Sequence, residues 1–123
     1  MKSREYYAAV QKALLAAAHV LQSDVSFDEI SEEECYIRGV LTLTGNYQLH
    51  IAEYIITEPK FQRVKYRFHL QTPKGKLIAR WDNAPHHPEV KTYSDHLHIG
   101  KKIKANPPMD IPQVLVEVLS FIE

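Results

Sequence analysis

Cysteine is almost missing from this 123-residue chain: Cys35 stands alone. No intrachain disulfide is possible, and a reducing, cytoplasmic setting is expected. Glycine is sparse too, at four residues, and the chain carries no Gly-rich phosphate loop, no dinucleotide fingerprint and no Gly-x-Ser-x-Gly nucleophile motif. No apolar run approaches the ~18 residues that a membrane-crossing helix needs. The start, MKSREYY, lacks the apolar core of a secretory leader, so secretion is not expected. There is no repeat, no low-complexity tract and no Gly/Ser linker. What remains is an ordinary globular composition, 45% apolar and 24% charged. It suits one domain over residues 1–123, able to bury a single core without metal or disulfide staples.

Net charge is also lacking, but its balance hides an asymmetry. Residues 1–59 hold four Lys/Arg against nine Asp/Glu, and residues 60–123 hold eleven against six. All eleven of those cations lie between Lys60 and Lys104, opposed there only by Asp82, Glu89 and Asp95, which leaves the stretch at +8. Five of the seven histidines fall in the same stretch. A local basic surface of this kind can meet an anion or a nucleic acid. The plain alternative is that the acidic and basic parts pair within the fold or stay solvated.

Periodicity orders the chain. Tyr6, Tyr7, Val10, Leu14, Ala17, Ala18 and Leu21 follow helical spacing and predict a helix over 4–22, with Ser3 as N-cap. The acidic segment Asp28 to Glu34 reads as a loop or irregular edge. Tyr36 to Thr44 and Tyr47 to Thr57 flank Gly45-Asn46, a hairpin signal. For Leu41 and Leu43 to share a face with Leu49 and Ile51, the loop must have odd length, such as Gly45-Asn46-Tyr47. Phe61 to Thr72 and Lys76 to Asn83 form a second hairpin around Pro73-Lys74-Gly75. Ala84 to Pro108 reads as a long loop, and Ile111 to Ile122 as a closing helix with Asp110 as N-cap and Pro112 in its first turn. The expected fold is α+β: a four-stranded antiparallel meander with both terminal helices on one face and the other face open to a ligand.

The third strand, KFQRVKYRFHLQ, carries the strongest chemistry. Val64, Tyr66, Phe68 and Leu70 alternate with Arg63, Lys65, Arg67, His69 and Gln71, so one face is expected to be core and the other a row of cations with a histidine. In the next strand Leu77, Ala79 and Trp81 match the core set, while Lys76, Arg80 and Asp82 fall on the polar face. Arg67, His69, Arg80 and Asp82 can then cluster across one hairpin. A histidine works as acid or base near neutral pH. Arginines hold a phosphate bidentately and stabilise developing charge. These are the parts of a metal-free RNA-cleaving site, with Arg63, Lys65, Arg67 and Lys76 as phosphate contacts. A solvated face with Arg–Asp pairs is the plain reading of the same residues.

The following run adds His86-His87 and His96-x-His98, four histidines within thirteen residues. His86 and His87 project differently, so at most one is expected to reach the polar face. His87 is favoured, because Glu89 offers a carboxylate to fix its tautomer. As a metal site the spacing is unspecific: no helical His-x-x-x-His and no Cys pair exists, although His96 and His98 can share a face. No metal ligand is assigned and no cofactor is expected. Glu53 interrupts an apolar strand pattern as a paired buried carboxylate or a site residue. Tyr66 reads as packing, His19 and His50 as structural or surface residues, and Cys35 as an unactivated thiol.

From Arg38 to Gly100, the pieces RGVLTLTGN, LHIAEY, KYRFHLQTPKGKLIARWDNAPHHPEV and HLHIG resemble the TumE family of bacterial type II toxin–antitoxin proteins. The resemblance covers about half the chain in order, and Asp-Asn-Ala-Pro-His-His-Pro-Glu is its most specific string. It implies a cytoplasmic toxin that acts on RNA or translation, encoded beside a small antitoxin, typically of helix-turn-helix type. It implies no membrane partner and leaves a homodimer open. The family pattern falls on Arg80, Asp82, His86, His87, His96 and His98. The sequence departs from it at Ser94-Asp95, where Pro-His is expected, and at Leu97, where Lys is expected. The function expected is that of a toxin acting as a metal-independent ribonuclease, with His69, His86 or His87 as base, His96 or His98 as acid, and Arg67 and Arg80 holding the phosphate. A non-catalytic nucleic-acid or antitoxin binding module and a metal-dependent hydrolase built on the histidine loop are the alternatives.

Overall fold

The computed structural model describes residues 1–85, 87 and 89–122. Helix α1 (Ser3–Ala16) leads into strands β1 (Val20–Ser31), β2 (Glu34–Leu43), β3 (Gln48–Ile56), β4 (Gln62–Gln71), β5 (Leu77–Asp82), β6 (His96–Ile99) and β7 (Lys102–Ala105), and helix α2 (Ile111–Glu117) follows. The strands form one antiparallel sheet in chain order. The α+β class and the presence of two terminal helices stand as expected, but the closing helix gives way to a 3-10 turn at Val118–Ser120 instead of running to Ile122, and among the described residues the sheet has seven strands rather than four.

The extra strands have physical causes. The apolar periodicity of α1 runs on into Ala17, Ala18 and Leu21, but the helix stops at Ala16. Val20 onward pairs with β2 instead, from Val20↔Leu43 to Ser31↔Glu34. Tertiary pairing overrides the helix propensity of the alanines. The acidic segment Asp28 to Glu34 is the end of this hairpin, not a loop, and its charges sit on a sheet edge, where charge discourages further pairing. β6 and β7 lie inside what reads as a loop; each is only four residues long. Ser3 is the first helical residue rather than the cap, and its hydroxyl donates to Ser31 O instead.

At Gly39 β1 passes too close to β2 for a side chain: a Cβ there would lie 2.4 Å from Asp24 O. The β2–β3 loop is odd in length, as parity requires, but it is Thr44-Gly45-Asn46, closed by Leu43 N–H donating to Tyr47 O. Gly45 and Asn46 both take positive φ in it. Leu41 therefore faces Leu49.

One face of the sheet buries Ile37, Leu41, Leu43, Leu49, Ile51, Ile55, Phe68, Leu70 and Trp81 against Tyr6, Val10 and Leu14 of α1 and Ile111, Val114 and Leu115 of α2. Helix α2 starts with Asp110 Oδ1 accepting from Gln113 N–H while Gln113 Oε1 accepts from Asp110 N–H, a reciprocal cap. His19 lies in the turn after α1, not within the helix, and its Nε2 meets Leu115 O at 2.7 Å, tying that turn to α2.

Two bulges alter which residues face the core. Between β3 and β4 the register passes from Tyr54↔Lys65 to Ile55↔Arg63, leaving Val64 unpaired. Val64 is consequently exposed, and Arg63 turns to the helix side. There Arg63 Nε donates to Glu53 Oε2 at 2.6 Å, and Tyr6 Oη donates to Glu53 Oε1 at 2.5 Å. Glu53 is thus the paired buried carboxylate. Burial pushes its pKa up, and Arg63 and Tyr6 oppose that only in part. The second bulge, at Ile78, separates Leu70↔Ala79 from Gln71↔Leu77 and gives Ile78, not Leu77, to the core margin.

Candidate functional site

The other sheet face carries two rows of side chains. Cross-strand register aligns Ala52, Arg67, Asp82 and His96 in one row and His50, His69, Arg80 and His98 in the next. Each row follows from strand parity: residues opposite one another in antiparallel strands share a face. The hairpin cluster of Arg67, His69, Arg80 and Asp82 is therefore present. β6 extends it with the two histidines of His-x-His, on one face because they are two residues apart.

Asp82 is the hub. Its Oδ1 lies 2.9 Å from His96 Nε2 and accepts from Ala84 N–H at 3.0 Å. Its Oδ2 accepts from Arg80 Nε at 3.1 Å and lies 3.8 Å from His98 Nε2. Asp82 is 6% exposed and His96 2%. Burying a carboxylate to this degree requires such partners. His87 returns from the loop with its ring centroid 5.3 Å from His96 and 5.6 Å from His98. Its Nδ1 lies 3.1 Å from Glu89 Oε1, the carboxylate expected to fix its tautomer. His86 lies outside the described residues.

Two open hollows flank the rows. The first, of about 260 Å³, is lined by His50, Ile51, Ala52, Arg67, His69 and Gln71. The second, of about 300 Å³, includes Lys65, Arg67, Arg80, Asp82 and Ala84. Arg67 belongs to both. His50 Nε2 and His69 Nδ1 are buried at the first hollow without a hydrogen-bond partner among the described residues. Burial holds the His69 pKa below its ordinary value, and Arg67, His50 and Arg80 push it the same way. Burial and Arg80 likewise lower His98, with Asp82 opposing. A neutral imidazole beside two guanidinium groups can accept a proton next to a bound anion.

Not every expected residue joins this site. Arg63 is on the opposite face, held by Glu53, because the Val64 bulge shifts its register; its expected role as a phosphate contact is corrected on that ground. Lys76, at the turn before β5, lines neither hollow. Tyr66 is packed as expected, but its hydroxyl also donates to Asp95 Oδ1 at 2.8 Å, anchoring the chain just before β6. His50, expected to be structural or a surface residue, instead lines the first hollow. Its alternation with Leu49 and Ile51 was the available signal.

A family model described as Toxin TumE matches residues 10–123. The chain belongs to this toxin family. Membership carries a toxin role and, in general, an antitoxin partner. No curated protein and no solved structure gives a significant match. No helix among the described residues is long and apolar enough to cross a membrane.

Proposed function

We propose that this toxin acts on RNA, cleaving it on the polar sheet face, and so works in the cytoplasm. The observation that supports this reading is the sharing of Arg67 between two adjoining hollows, one bearing His69 and the other bearing Arg80 and Asp82. A phosphate seated at Arg67 has a guanidinium beside it, a neutral imidazole on one side and the Asp82-oriented Arg80 on the other. Lys65 extends the cationic surface along the strand. Guanidinium forks match phosphate oxygens and strengthen as charge develops on them.

In the proposed step His69 takes the proton of a ribose 2′-hydroxyl. The 2′-oxygen attacks the adjacent phosphorus, and the bond from phosphorus to the 5′-oxygen breaks. Arg67 and Arg80 stabilise the phosphorane. The departing oxygen takes a proton from water at the Asp82–His98 end of the site, and the hydroxide so formed is neutralised by the proton that His69 took up. The products are a 2′,3′-cyclic phosphate and a 5′-hydroxyl.

Incubating the purified full chain with mixed RNA and identifying the new ends tests the reading. Cyclic-phosphate ends that disappear with His69→Ala and Arg80→Ala are the expected result. RNA that is bound but never cut would favour a non-catalytic binding module instead.

A further inference from the structure

Three imidazoles converge where β6 meets the loop after β5. One ring nitrogen from each of His87, His96 and His98 lies within 4.8 Å of the others. The Asp82 carboxylate borders them, 2.9 Å from His96 Nε2 and 3.8 Å from His98 Nε2. Donors around a tetrahedral ion with bonds of about 2.0–2.1 Å stand roughly 3.4 Å apart. The Asp82 Oδ1–His96 Nε2 separation of 2.9 Å falls just below that spacing, and the three imidazole nitrogens, within 4.8 Å of one another, surround it.

The outer contacts are those of held ligands. His87 Nδ1 is engaged by Glu89 Oε1 at 3.1 Å, and His96 Nδ1 by Ser94 O at 2.8 Å. A carboxylate or backbone carbonyl on the far nitrogen fixes a metal-binding ring and leaves Nε2 to face the ion. His96 carries a second, independent sign. Both its nitrogens face oxygen acceptors, Ser94 O and Asp82 Oδ1. A ring with one N–H satisfies only one of them, and only a second proton or a bound cation satisfies both. A cation at Nε2, shared with Asp82, satisfies the other.

We propose that His87, His96, His98 and Asp82 form a binding site for one divalent transition-metal ion. Three imidazoles and one carboxylate are a donor set for zinc, cobalt or nickel rather than for calcium or magnesium. Arg80 Nε holds Asp82 Oδ2, so the ion takes Oδ1, which also accepts from Ala84 N–H, and it displaces Arg80 Nη2 from His98 Nε2, 3.4 Å away. That such an ion would add positive charge at the departing-oxygen end rests on the RNA-cleaving reading; its binding does not.

Zn²⁺ is titrated into the tag-free full chain in competition with a chromophoric chelator, with no RNA present. The visible absorption of Co²⁺ reports coordination in parallel, and circular dichroism checks each variant's fold. One ion per chain is expected. His98→Ala and His87→Ala should each weaken binding about 100-fold or more, and the exposed outer partner Glu89→Gln about 10-fold. His50→Gln, on the same face but outside the set, should leave affinity unchanged. The absence of one-to-one binding at micromolar Zn²⁺ would overturn the proposal. So would an affinity indifferent to folded Glu89→Gln and His98→Ala.

Discussion

Asp82 and His96 face each other across the β5–β6 pair, Oδ1 to Nε2 at 2.9 Å, and both are nearly sealed from water on the sheet face that the helices leave uncovered. Two buried polar partners on the face away from the apolar core need a reason beyond packing. Asp82 supplies one by orienting Arg80 and the His-x-His pair together. Asp82→Ala should lower stability by about 3 kcal/mol, because it leaves buried partners uncompensated. Asp82→Asn keeps the shape and should retain more of the stability, while growth arrest is lost. Denaturant unfolding alongside growth measurements on both variants checks this.

Arg80 and His87 approach the hub from different elements, a strand and a loop. Arg80→Ala should relieve toxicity at least ~10²-fold, the scale of a lost charge-stabilising group, and His87→Ala, at the edge of the site and outside the proposed step, should relieve it less. Both side chains are partly exposed, so both variants should stay folded. Thermal melts and growth curves on the same proteins decide the matter. Variants that fold and remain fully toxic would remove these residues from the site.

Lys65 and Arg67 should behave differently from Arg63, although all three alternate in one strand. Lys65→Ala or Arg67→Ala should weaken RNA binding across many sequences and lower its salt slope by about one unit per lost contact at most. Arg63→Ala should leave the slope unchanged and lower stability by about 3–5 kcal/mol, because it strands buried Glu53. Filter binding at several salt concentrations, together with unfolding, separates the two.

His69 sets the pH response. Its pKa lies below the ordinary 6.5, so the proton-accepting form prevails at neutral pH. Cleavage should fall as pH drops through that lowered value, on a limb centred below 6.5. Stability should move the same way, since the unfolded chain holds the His69 proton at pH values where the folded chain has released it. The acid limb of the rate profile should vanish in any residual activity of His69→Gln. A limb centred above neutrality would contradict the assignment.

How much of this was legible in the sequence depends on the scale of the feature. Alternation in β4 and β5 placed Arg67, His69, Arg80 and Asp82 on one face without any structure, because period two is a local property. Asp110 and Pro112 marked α2 for the same reason. Arg63 was misplaced because a bulge at Val64 is a pairing event with no residue signature, and it inverts every residue beyond it. β1 was hidden by alanines whose propensity favours helix and by acids that look like a loop; only pairing with β2 decides both. The short β6 left its alternation, His96-Leu97-His98-Ile99, in view, but its alignment with Asp82 is a long-range contact. The gathering of His87 with His96 and His98 depends on that alignment and could not be read from spacing.

The most direct measurement is the state of RNA in cells arrested by the full chain. End mapping should find new 5′-hydroxyl and 2′,3′-cyclic phosphate ends rising with the onset of arrest. Both the ends and the arrest should be absent when folded Arg80→Ala is expressed at the same level. Full arrest with intact RNA, or arrest undiminished in that variant, would contradict the account.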